Sequence, residues 1–341
     1  MSREETRGVS MMSIRDLSRK AADGVLSLFD LQLVRKSTLA SANRLVIEEP
    51  PLPFPPESEA YLQWSNPYLE ALRSRYARHP ASVHSQWSPD FIAQRVDLRR
   101  FRADGAYVWQ GPQFSENKYL MTAYYAKTID RLGIFDRLTE DGMFGAYVFR
   151  FNGKVVSRDL IDSVLEINFL QENFGPRKLA VLDIGAGYGR LGHRLSEVMP
   201  SADPVFCTDG VAESTFICDF YLRYRKARAR AIPVDEVESL VKDGGIDLAT
   251  NIHSFSECTA QSISWWLALL RNARVKNLFI VPNRNEHLLS TEADGKRLPC
   301  TDLLAQFGYR LRLKRPKYVN GTAMDRYGIG PTWYLLFELE D

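Results

Sequence analysis

Between positions 179 and 195 the chain reads LAVLDIGAGYGRLGHRL: an apolar strand, a glycine-rich turn and the start of a helix. Leu179, Val181, Leu182 and Ile184 have strand character, and a helical pattern resumes at Arg190. Glycine is needed where the backbone takes positive φ or where a ligand touches the main chain. A helix that begins directly behind such a turn presents free N–H groups and the positive end of its dipole. The segment therefore predicts a nucleotide-type pocket on an α/β sheet.

Spacing narrows the nucleotide. The dinucleotide fingerprint is G-x-G-x-x-G after a strand. Here the third glycine comes one residue early, giving Gly185, Gly187 and Gly189, and the sequence has no G-x-x-x-x-G-K-[ST] loop. Downstream, DPVFCTDG predicts a second strand ending at Asp209 and Gly210. A carboxylate there can accept from both hydroxyls of a ribose. Residues 229–234 suggest a third strand before Asp235 and Glu236, residues 246–252 a fourth, and residues 276–282 a fifth. A helix and two closing strands, the last at 332–339, complete the pattern. Strands and helices alternating through short connections argue a parallel sheet covered on both faces.

The pattern D-x-G-x-G-x-G, with Asp183 two positions before the first glycine, resembles motif I of the class I S-adenosylmethionine-dependent methyltransferases. The resemblance implies an α/β, Rossmann-like seven-stranded sheet with a largely helical N-terminal extension. It implies that Asp183, Gly185, Ala186, Gly187, Gly189, Asp209, Gly210, Asp235 and Asn251 bind the cofactor, with S-adenosylhomocysteine as product. Within that group, IGAGYGRLGH, NIHSFSEC and the upstream FRADGAYVWQ resemble the sugar O-methyltransferase family over residues 95–340. The family's S-F-x-E-M segment stands here as Ser254-Phe255-Ser256-Glu257-Cys258, one departure at its last position. The function so implied is O-methylation of a sugar hydroxyl in glycan or glycoside biosynthesis.

Methyl transfer to a hydroxyl needs alignment and removal of the hydroxyl proton. His253, just past the fourth strand, is the first candidate base, because histidine titrates near neutral pH. Glu257 either orients it or serves as base itself, and His287 is the alternate. Asn283 and Arg284 stand close by as hydrogen-bonding groups, and His193 reads as a helix-face residue. Some sugar O-methyltransferases hold Mg2+ between carboxylates. Residues 251–257 and 283–287 supply only Glu257 and Glu286, so a metal is not favoured.

Two alternatives compete: a non-catalytic methyltransferase-like scaffold in a glycan assembly complex, and a methyltransferase acting on protein or nucleic acid. The [DN]-P-P-[YF] element common in amino-methylating enzymes is replaced by Asn251-Ile252-His253-Ser254. A formal net charge of +2 gives no electrostatic footprint for nucleic acid.

With 341 residues the chain divides into an amphipathic helical segment (1–47), a proline-rich linker (48–58), a mainly helical lid or substrate region (59–175) and the methyltransferase domain (176–341). The helical pattern at 14–36 suits dimerisation, or at most peripheral membrane association. Five prolines within 48–58 predict extended backbone. The aromatics of the lid, Trp64, Trp87 and Trp109 among them, offer flat faces suited to a sugar ring. Four cysteines without C-x-x-C spacing, and a start that does not read as a signal peptide, predict reduced thiols in a cytoplasmic chain.

Overall fold

The computed structural model describes residues 54–83, 86–103, 105–107, 116–242, 245–283, 286–319, 324 and 327–340. The chain divides into Met1–Val46 and Ile47–Asp341, and every described residue belongs to the second unit. The helix expected at 14–36 lies outside the described residues, as do Trp109 and Arg284.

Seven strands form the main sheet: β3 (Leu179–Ile184), β4 (Ala202–Thr208), β5 (Arg230–Ala231), β6 (Leu248–Ile252), β7 (Asn277–Val281), β8 (Tyr309–Pro316) and β9 (Trp333–Leu339). Their order is β5-β4-β3-β6-β7-β9-β8. The pairs among β3 to β7 are parallel, and β9 runs antiparallel to both β7 and β8. The chain thus has the mixed, doubly wound Rossmann-like sheet that the sequence implied. β3 is buried along its whole length, which explains why its sequence is apolar without alternation. The strand order reverses between β3 and β6, and a crevice opens at the carboxyl ends of strands at such a point. Residues 185–190, 209–213 and 253–258 follow those ends.

The third strand is shorter than expected. Only Arg230 and Ala231 pair with β4, and Val234–Glu236 forms a 3-10 turn instead. Pro233 offers no N–H to a ladder, which ends the pairing there. The linker is also not extended throughout: Pro56 opens helix α1 (Pro56–Tyr61), its fixed φ being suited to a first helical turn.

Upstream of the sheet stand α2 (Pro67–Tyr76), a 3-10 turn (Pro80–Ser82), α3 (Pro89–Arg95), α4 (Glu116–Ile129), α5 (Ile134–Arg137), the hairpin β1 (Val148–Phe151) and β2 (Lys154–Ser157), and α6 (Arg158–Phe174). Four of their starts are fixed by side-chain caps. Asn66 accepts from Tyr68 N–H, His79 from Ala81 N–H, Ser88 from Phe91 N–H and Ser157 from Leu160 N–H. α7 (Arg190–Val198), α8 (Ala212–Tyr224), α9 (Val237–Lys242), α10 (Ala260–Asn272) and α11 (Thr301–Gln306) follow their strands. None of the described helices is long and apolar enough to cross a membrane. All four cysteines are buried free thiols.

A buried ionic network ties the N-terminal layer to the sheet. Arg102 is fully buried; its Nε donates to Asp159 at 3.0 Å and an Nη to Glu140 at 2.6 Å. Arg194 of α7 donates to the same Glu140 at 3.2 Å. The Tyr188 hydroxyl, from the glycine turn, bonds Asp159. Burial acts to raise the Glu140 carboxyl, but Arg102 and Arg194 overcome it and hold that group well below the usual carboxylate range. Removing one member of such a network leaves the others charged and unmatched. Arg102→Ala is expected to destabilise the fold by roughly 3–5 kcal/mol, read from the urea midpoint. A change below about 1 kcal/mol would contradict the network's role.

Candidate active site at the carboxyl ends of the central strands

Three left-handed glycines, alternating with Ala186 and Tyr188, shape the β3–α7 turn: Gly185 at φ +69°, Gly187 at +58° and Gly189 at +85°. Side chains press on the same positions. A Cβ on Gly185 would stand 2.1 Å from Ser254 Oγ, and one on Gly187 would stand 3.0 Å from the Tyr107 ring. One on Gly189 would meet Cys218 Sγ at 2.9 Å. Conformation and close approach therefore both require glycine here.

Hydrogen bonds close the turn onto the neighbouring strands. Gly185 and Ala186 donate N–H to Thr208 O at 2.9 and 3.0 Å, and Gly187 N–H reaches Asp209 Oδ2 at 2.9 Å. The other oxygen of Asp209 accepts from Val211 N–H at 2.9 Å. Each carboxylate oxygen keeps a lone pair for a further donor. Burial, opposed by those two backbone donors, pushes the Asp209 carboxyl up to about 7. Asp183 is equally enclosed: it accepts from the Thr250 hydroxyl at 2.7 Å, and burial raises it to about 7. Among the described residues no lysine or arginine forms an ion pair with Asp183 or Asp209.

Asn251 and Asp235 also have partners within the chain. The Asn251 amide donates to Ile184 O at 2.9 Å and accepts from Phe255 N–H at 2.8 Å, bracing β6 against the glycine turn. Asp235 receives Arg75 through two bonds of 2.7 and 2.9 Å. Gly210 borders a cavity of about 670 Å³, with Val211 and Glu213 on the same side and Trp64, Tyr76, Ser82 and Trp87 of the N-terminal layer across from them.

The three candidate bases have different surroundings. His253 takes a positive φ of 69°, sparse for a side chain of this size. Its Nδ1 is buried without a hydrogen-bond partner among the described residues. Burial, together with nearby Arg158, lowers the imidazole to about 3, which leaves it neutral and weakly basic. Glu257 instead accepts from the Trp87 indole N–H at 2.8 Å and from Asn283 Nδ2 at 3.5 Å. Burial raises its carboxyl, with the Trp87 and Asn283 bonds opposing. His287 lies on the surface beside Glu286, which bonds Lys314. His193 is buried against the Tyr221 ring at 5.4 Å rather than displayed on a helix surface.

Four residues that shape the site were not given these positions by sequence reasoning: Tyr107, Trp87, Thr250 and Ser254. The Tyr107 hydroxyl meets Ser214 Oγ at 3.2 Å, and its ring packs on Trp87 and Tyr188 at 5.4 and 6.0 Å. The only signal in the sequence was their aromatic or hydroxyl character close to a motif. No group of three or more His, Cys, Asp or Glu side chains among the described residues is arranged to hold a metal ion.

No family model matches this chain, and no curated protein matches it in sequence. Among solved structures the chain is similar to an S-adenosylmethionine-dependent methyltransferase from Clostridium acetobutylicum, at 14% identity and a TM-score of 0.39, over 52% of this chain and 91% of that one. It is similar to magnesium protoporphyrin IX methyltransferase from Synechocystis with bound S-adenosylmethionine, at 12% identity and a TM-score of 0.39, covering 67% and 100%. It is likewise similar to the glycopeptide N-methyltransferase MtfA complexed with S-adenosylmethionine, at 13% and 0.39, covering 51% and 93%. Likenesses of this size carry no weight for chemistry, and the fold stands on the strand order itself.

The fit of Ser254 over Gly185 has a measurable cost. Gly185→Ala is expected to destabilise by about 2–4 kcal/mol, from overpacking and a left-handed alanine together. Adding Ser254→Gly should recover the steric part and leave the backbone part. Strict additivity of the two substitutions in urea unfolding would contradict this contact.

Proposed function

We propose that the crevice binds S-adenosylmethionine and that the protein methylates a hydroxyl, a sugar hydroxyl being the acceptor its sequence suits best. One observation carries the cofactor assignment: Asp209 and the Gly185–Gly187 turn are joined by a hydrogen bond at the strand-order reversal. A buried carboxylate with unused lone pairs thus stands beside a main chain whose one side chain is the methyl of Ala186. Residues and group fit. The ribose hydroxyls would donate to Asp209, the turn's bare backbone would face the methionine portion, and Asp183 would stand toward its amino end. Two enclosed carboxyls without a basic partner favour a ligand that is cationic or rich in donors. When bound, S-adenosylmethionine supplies an electrophilic methyl group on a sulfonium.

The chain's own work is to hold the acceptor hydroxyl in line and take its proton. Glu257 suits the proton better than His253, because burial strengthens a carboxylate as a base and weakens an imidazole. His253 remains a neutral acceptor at the edge of β6. The aromatic cavity that includes Trp64 and Trp87 offers apolar faces to a sugar ring. The scaffold reading is disfavoured by the intact contacts of Asp209 with the turn. A cytoplasmic location and a homodimer belong to the same reading.

Ribose donors bind the ionised form of Asp209, so binding draws off its proton. Affinity for S-adenosylhomocysteine should rise with pH to about 7 and level off above, falling by up to about tenfold per unit below. Asp209→Asn should weaken binding by about tenfold to a hundredfold and flatten that dependence. Calorimetry at several pH values checks both effects, and affinity that rises on acidification would contradict them. Mass spectrometry of hydroxylated acceptors incubated with enzyme and S-adenosylmethionine tests the sugar assignment. Methyl gain on an amine acceptor alone would overturn it.

A further inference from the structure

We infer that Trp87 is a positioning residue whose indole N–H fixes the Glu257 carboxylate in the geometry of a proton acceptor. The inference rests on the methyltransfer reading above and adds to it a residue from the N-terminal layer. Trp87 lies in the loop before α3, 170 residues from its partner, and its Nε1 is 2.8 Å from Glu257 Oε2. Indole is a donor only, so the bond can form with a carboxylate oxygen and leaves the other oxygen to Asn283. Glu257 closes the 3-10 turn Ser254–Glu257, whose first residue packs on Gly185. The same turn is pinned to β7 by Asn283 N–H, which donates to Ser256 Oγ at 3.2 Å.

The Trp87 ring is itself held by two neighbours. Phe91 stands at 5.3 Å edge-on and Tyr107 at 5.4 Å, and Trp87 also lines the 670 Å³ cavity. Tyr107 in turn touches Gly187 and bonds Ser214. A ring-shaped acceptor resting in that cavity would therefore press on the residue that aims the base. Among the described residues, the charged and titratable groups facing Glu257 include Asp209 from the tip of β4, Arg297 from the segment before α11, and the adjacent Cys258. Asp209 disfavours a second negative charge and Arg297 favours it, so a donated hydrogen bond shifts the balance toward the carboxylate. Loss of the indole N–H should then leave a carboxyl that is less well aimed and more readily protonated.

Trp87→Phe keeps the ring packing and removes only the donor. In the full chain, the indole N–H resonance of Trp87, assigned by its absence from Trp87→Phe, should move as pH falls, with a midpoint above the ordinary carboxylate value near 4. That movement should vanish in Glu257→Gln. A resonance indifferent to pH, or one that titrates unchanged in Glu257→Gln, overturns the inference. With the acceptor found by the hydroxyl screen, Trp87→Phe should lower kcat by about tenfold to a hundredfold. Its acid limb should shift to higher pH, with little change in affinity for S-adenosylhomocysteine. In a Glu257→Gln background Trp87→Phe should add nothing further, whereas independent losses would mean that Trp87 serves packing alone. Failure of the native chain to bind S-adenosylhomocysteine would sink the methyltransfer reading, while the indole titration still reports the Trp87–Glu257 contact.

Discussion

Everything at the candidate site depends on how the backbone leaves β3. Between Ile184 and Arg190 the chain must turn from a fully buried central strand into a helix that starts at the sheet's edge. It does so through three left-handed glycines. Asp209 from the neighbouring strand then closes the turn by accepting from Gly187. The β6 side seals it a second time, with Asn251 bonded to Ile184 and Ser254 packed on Gly185. Three parallel strands thus converge on one short loop, and the loop can be narrow because it carries almost no side chains. Tyr188, its one large residue, points away into the Phe101, Tyr221 and Asp159 cluster. That contact couples the loop to the N-terminal layer.

Buried charge falls into two regimes that differ in purpose. Behind the turn, Arg102, Arg194 and Arg190 meet Glu140, Asp159 and Glu166, and Lys317 meets Asp162. There each carboxylate is matched and the pairs hold layers together. At the crevice, Asp183 and Asp209 are satisfied by a hydroxyl and by backbone N–H groups, without a cation. Burial therefore raises them toward neutrality rather than lowering them. A group that is costly to charge in the free protein and gains from donors is characteristic of a binding site.

Much of this was legible in the sequence, and the reasons are specific. The run from Leu179 to Gly189 could be read because a buried parallel strand is apolar throughout and a tight turn demands glycine. The closing strands could be read because β9 carries a long apolar run. The third strand was read too long, since Pro233 stops a ladder that its apolar neighbours suggested. The candidate base was the least legible part. A histidine at the end of β6 looks like a base by type, whereas its burial, which lowers its basicity, is a property of the fold. The Trp87 bond to Glu257 spans 170 positions and no local pattern announces it. Asn251 and Asp235 were assigned to a ligand by resemblance, and no local pattern announced their bonds to Ile184, Phe255 and Arg75.

The account stands or falls on what the Asp209 crevice holds. Calorimetric titration of the full chain with S-adenosylhomocysteine, run beside NAD at pH 7.5, tests it most directly, that pH lying on the plateau expected above a carboxyl raised to about 7. The expected result is saturable binding of S-adenosylhomocysteine at one site with micromolar affinity, and none of NAD. Tight binding of NAD with no heat from S-adenosylhomocysteine would contradict it, and would reassign the turn to a dinucleotide.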